Sequence, residues 1–190
     1  MRKSDNIASE MIPIRLIISI TVIAAIAVII AIAYNNLSIT LAENQIENDC
    51  RTLESKLFTM MSSGIARDVD EVNAGEGTKR IHNFDLPGNL IYLAFGVDPD
   101  PNNCGTLKTG LTEAGSAIFY RAGSGSKHAI WLSEELKFRE GNYTKDKWII
   151  NGDGQGFIIT SGGKTTLVFE LVQKNDERYI LIHSNDKIDS

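Results

Sequence analysis

LIISITVIAAIAVIIAIAY, running from Leu16 to Tyr34, carries no charge, and Ser19, Thr21 and the closing tyrosine are its only departures from aliphatic side chains. A helix rises about 1.5 Å per residue, so the run covers about 28 Å, the thickness of a bilayer's hydrocarbon core. A helix is also the one open chain that satisfies its own backbone groups in lipid. The stretch predicts a single membrane-spanning helix over residues 16–34. A buried helix of a soluble domain is the alternative, but such helices keep a polar face.

The flanks orient this span. Residues 1–15 form a short leader in which Arg2, Lys3 and Arg15 outnumber Asp5 and Glu10, whereas Glu43, Glu47 and Asp49 precede Arg51 on the far side. The excess of basic charge predicts a cytoplasmic leader and an exterior location for everything after Tyr34. A cleaved secretory signal is the other possibility, since Ala31-Ile32-Ala33 has the small-x-small form of a cleavage site, but secretory signals carry a shorter apolar core.

Formal charge over the 190 residues is −5 and the leader contributes +1, so the exported part is acidic. It holds no basic patch of the kind that binds nucleic acid. Cys50 and Cys104 both fall on the expected exterior, where a disulfide persists. A staple between them is expected, with two buried thiols as the alternative. Neither has a second Cys or His at zinc-ligand spacing.

Beyond Tyr34 the helical period continues with a polar side. Leu37, Leu41, Ile46, Cys50, Leu53, Leu57, Met60, Met61, Ile65, Val69 and Val72 recur mostly at steps of three and four, which predicts an amphipathic helix over residues 35–74. Asn73-Ala74-Gly75-Glu76-Gly77 supplies its stop. From Lys79 the period turns strand-like. Residues 89–97, 116–121, 127–132, 147–150, 156–160, 165–173 and 178–183 are short runs rich in β-branched and aromatic residues. Ser161-Gly162-Gly163 and Asn175-Asp176-Glu177 read as hairpin turns, so the region from about residue 147 is expected to be an antiparallel meander. The expected fold is α+β: a long helix packed through residues 46–72 on an antiparallel β domain spanning 79–184, followed by a tail at 185–190.

The residues carry no catalytic constellation. His82, His128 and His183 lack a local partner at ligand or triad spacing. Gly152-Asp153-Gly154-Gln155-Gly156 has no Lys-Ser/Thr and precedes a strand, and Ala122-Gly123-Ser124-Gly125-Ser126 also leads into a strand, so both read as turns. Asp98, Asp100 and Asn102 alternate as at the start of a calcium loop, but Asn103 and Thr109 occupy the glycine and glutamate positions, and a rigid proline-containing loop is the simpler reading. A non-enzymatic protein without cofactor, metal or small-molecule substrate is expected. Asn36-Leu37-Ser38 and Asn142-Tyr143-Thr144 are candidate glycosylation sequons. Ala24, Ala27 and Ala31 recur at steps of three and four, small positions through which membrane helices pack closely, although alanine is common in such helices in any case.

A short charged leader, an apolar segment from about residue 14, direct continuation into an amphipathic helix and a C-terminal β domain together resemble the type IV pilin-like superfamily, with archaeal pilins and archaellin-like proteins nearest in layout. The resemblance implies leader removal by a membrane peptidase between Ala8 and Ser9. It further implies bundling with like or related subunits through the N-terminal helix into an extracellular filament, and outward β domains for adhesion. Asn6 and Ile7 stand where the family carries a basic residue, and Pro13 where bacterial members carry glutamate.

Overall fold

The computed structural model describes residues 5–71, 74–105, 107, 112, 115–144, 147–151 and 155–184, with side chains from residue 14 onward. Val72, Asn73, Thr109, residues 152–154 and the 185–190 tail lie outside the described residues. Among the described residues one helix, α1 (Asp5–Ser63), precedes ten strands: β1 (Arg67–Asp68), β2 (Lys79–Leu86), β3 (Leu90–Phe95), β4 (Ala117–Ala122), β5 (His128–Trp131), β6 (Phe138–Thr144), β7 (Lys147–Ile150), β8 (Phe157–Ile159), β9 (Gly163–Lys174) and β10 (Glu177–Ser184). The class is α+β. The chain divides into two compact units, residues 1–40 and 41–190.

In the second unit the strands form two sheets. β1, β9, β10, β6 and β7 follow one another across the first, with β2 also paired to β9; β5, β4, β3 and β8 form the second. The alternation in β9 explains the core. Leu167, Phe169 and Leu171 face inward, where they meet Phe84, Phe138, Ile180 and Ile182 from the first sheet and Leu93, Phe95, Ile118 and Ile130 from the second. Ala42, Ile46, Cys50, Leu53, Leu57, Met60 and Met61 supply the helical side of the same core, at the spacing that brings one helix face to one partner.

Four expectations are corrected. The helix stops at Ser63 rather than near residue 73, because Ile65 spends its backbone groups elsewhere: its N–H donates to Thr78 Oγ1 and its carbonyl accepts from the Thr78 N–H, both at 2.8 Å. Arg178 also donates to the Met61 carbonyl, satisfying one of the acceptors a helix end leaves open. The β domain is mixed, since β1 runs parallel to β9 and β6 parallel to β10. The region after residue 147 is no meander: β7 pairs with β6 and β8 with β3, so Ser161-Gly162-Gly163 carries the chain from one sheet to the other. The turn at Asn175-Asp176 is the hairpin expected, both residues adopting positive φ between β9 and β10. Finally, Cys50 and Cys104 are not joined to one another. Cys50 points into the core, and Cys104 is exposed in the loop after Val97, which packs on the opposite face of the second sheet.

The outer face of β9 buries a charge pair. Arg67 Nε donates to Glu170 Oε1 at 2.7 Å and Nη2 to Oε2 at 3.0 Å, with both side chains at least nine-tenths buried. Arg67 Nη2 also reaches the Trp148 carbonyl at 2.7 Å, and the Gly77 N–H donates to Glu170. Three segments remote in sequence therefore meet at one guanidinium. Removing one partner from such a pair leaves an uncompensated buried charge and costs about 3–5 kcal/mol, while replacing both by apolar residues costs far less. Arg67→Met is expected to lower unfolding free energy by about that amount in urea titrations, and Arg67→Met/Glu170→Leu to recover most of it.

Candidate membrane and assembly surface

The apolar half of α1 is exposed on every side. Large side chains from Ile14 to Tyr34 show half or more of their surface, and the window that reaches membrane-spanning hydropathy is not buried at all. An apolar surface of this extent calls for lipid or protein to cover it. Its polar groups make no such call, because Ser19 Oγ donates to the Arg15 carbonyl at 2.9 Å and Thr21 Oγ1 to the Ile17 carbonyl at 2.8 Å. The hydroxyls are thus satisfied inside the helix and compatible with hydrocarbon. Ala24, Ala27 and Ala31 lie along this stretch, all exposed. Ala8 and Ser9 fall within α1, so the bond between them is helical.

The two sequons differ in setting. Asn36 is exposed on α1, where Ser38 Oγ bonds the Asn35 carbonyl and Thr40 Oγ1 the Asn36 carbonyl. Asn142 is exposed on β6, in register with Ile149 of β7.

The remaining polar candidates are engaged within the second unit. Asp98 Oδ2 accepts from Lys127 Nζ at 2.7 Å, and the same ammonium reaches the Asp100 carbonyl at 2.9 Å. Buried Asp100 accepts the N–H groups of Cys104 and Gly105, with Arg121 at 3.8 Å. The calcium-like spacing therefore encloses lysine and arginine charges. Burial, followed by the Asp98 and Asp100 charges, pushes the neighbouring Tyr92 phenol up to about 12. A hollow of about 430 Å³ lies beside this loop, lined by Asn103, Arg121, Ser124, Gly125, Ser126 and Lys127. Among the described residues no three His, Cys, Asp or Glu side chains converge on a metal position. Cys50 is chemically quiet: burial first, then Asp49 and Glu47, push its thiol far above the ordinary range.

Each histidine has a neighbour on another element that sequence spacing did not reveal. His82 Nδ1 lies 3.2 Å from Lys56 Nζ. His128 stacks on Tyr120, and its Nε2 lies 3.1 Å from Glu43 Oε1, an ion-pair distance without hydrogen-bond alignment. His183 stacks on Trp148 with ring centroids 3.9 Å apart. Lys56, Trp148 and Glu43 lie on other elements, 26, 35 and 85 residues away, so no local motif could have shown them.

Comparison with known protein families, with curated proteins and with solved structures finds no match to this chain. The candidate surface therefore stands on its own physics: among the described residues, one helix long and apolar enough to cross a membrane, continuous with an α+β unit. A charge at the centre of such a span costs about 2.5–3.5 kcal/mol in insertion. Ile26→Arg is accordingly expected to shift the protein from the carbonate-resistant membrane fraction toward the soluble or aggregated fractions.

Proposed function

We propose that this protein is a type IV pilin-like surface subunit, non-catalytic, whose N-terminal helix rests in the membrane and is then covered by the helices of like or related subunits in an extracellular filament. The observation that carries this reading is the division of labour along α1: its residues up to Tyr34 bury nothing, while Ala42 to Met61 form one wall of a folded core. In the filament the lipid contacts of the first half are exchanged for contacts with neighbouring helices, at the small positions Ala24, Ala27 and Ala31. The second unit, acidic and richly looped, is the part presented outward for adhesion or contact. Its sequon at Asn142 lies at an exposed position suited to a glycan.

A second reading is favoured by a specific observation. The Ala8–Ser9 bond lies inside a helix, whereas a peptidase takes its substrate locally unwound. With the leader retained, the protein is a single-pass anchored binding or sensor protein with a short cytoplasmic N-terminus and an exterior domain.

Mass spectrometry of the N-terminus of protein isolated from its own cells separates the two. A chain beginning at Ser9 and recovered in sheared filaments is the expected result. A chain retaining Met1 or Arg2 and absent from filaments would overturn the pilin reading in favour of the anchor.

A further inference from the structure

The seam between α1 and β2 is built with opposite responses to acid at its two ends. At one end, His82 is buried on β2, with Nδ1 facing the Lys56 ammonium of α1 and Nε2 lacking a hydrogen-bond partner among the described residues. An ammonium only donates, so Nδ1 must be the acceptor and the ring neutral. The ring packs edge-to-face with Phe84, their centroids 4.5 Å apart. On the same face of β2, Arg80 lies two residues before it, and the opposite position on β9 is Leu167, which offers no charge. A proton added to this ring sets an N–H donor against the ammonium of an exposed lysine in a part-buried contact.

The other end has the reverse chemistry, and beside it, on β5, His128 Nε2 lies 3.1 Å from Glu43 Oε1 of α1, so no like charges meet there. Asp49, further along the helix, has its carboxyl raised by burial and by the charge of Asp85 on β2, so a proton there relieves repulsion. Gln45 adds an uncharged tie from the helix to the Asp85 carbonyl.

We propose that this seam is an acid-operated latch: protonation of His82 loosens α1 from β2 around Lys56, while the Glu43–Asp49 end stays seated. The direction of the histidine's shift agrees with the geometry. Burial, then the Lys56 charge, lower His82 from its ordinary 6.5 to about 4 in the closed state. The closed seam therefore keeps its full stability above pH 6.5 and loses it as pH falls from there toward 4, because only the open form takes up the proton. Separation by more than one pK unit allows the opening constant to rise by tenfold or more across this window. His183, also buried and shifted downward, lies on the outer face of the first sheet and adds a general acid sensitivity that is not localised to this seam.

Hydrogen exchange on the full-length protein in phospholipid vesicles, compared at pH 7 and pH 5 after correction for intrinsic rates, tests the latch. Peptides covering 53–63 and 79–86 are expected to lose protection by tenfold or more at pH 5, and peptides covering 42–50 to keep theirs. His82→Gln should abolish the response, and Lys56→Met, which removes the opposing charge and leaves the imidazole in place, should reduce it. The latch is overturned by an unchanged wild-type seam at pH 5, by an equal loss at 42–50, or by an undiminished response in Lys56→Met. That last comparison holds even if the His82 variant does not fold.

Discussion

One apolar seam, Ala42 to Met61 along α1, is the constraint on which the folded unit depends. The inner faces of both sheets close against it, and most of these helical side chains have no measurable exposure. Neither sheet could leave its inner face open to water, since each carries several large buried aliphatic or aromatic residues. β2 with β9 and β6 with β10 pair across long sequence separations, and the same helical wall backs the core they enclose.

The same helix has two kinds of surface. From Leu16 to Tyr34 its side chains are apolar in every direction, and from Ala42 onward they are apolar in one direction only. A helix whose whole circumference is hydrophobic is stable in lipid or in a bundle, and one with a single stripe is stable against a core. Continuing one element through both regimes needs no special device at the junction, only a change in what the outward residues are. Asn35 and Asn36 make that change, and Ser38 and Thr40 keep their hydroxyls on the helix backbone.

Much of this was legible in the sequence because the relevant signals are local. The span, the inward stripe of α1 and seven of the strands announce themselves through hydrophobic period and β-branched or aromatic content. β2 and β6 did not: KRIHNFDL is half charged or amide, and FREGNYT contains glycine and asparagine, so both owe their strand state to partners elsewhere. The apolar period running on through Ile65 and Val69 hid the end of the helix, which Thr78 sets by pairing with Ile65. The Arg67–Glu170 pair spans 103 residues, and no spacing rule reaches that far. The candidate surface was readable for the same reason as the span, whereas the partners of the three histidines exist only once the sheets have formed.

The central claim is that the first half of α1 is sheltered from water in the working protein and the outward side of its second half is not. Environment-sensitive fluorophores attached at Ile26→Cys and at Phe58→Cys, each in a Cys104→Ser background with Cys50 buried, read this directly in membranes or in isolated filaments. Blue-shifted emission shielded from iodide is expected at position 26, and ready quenching at position 58 for protein in membranes. Equal access of iodide to both positions in membranes would contradict that claim.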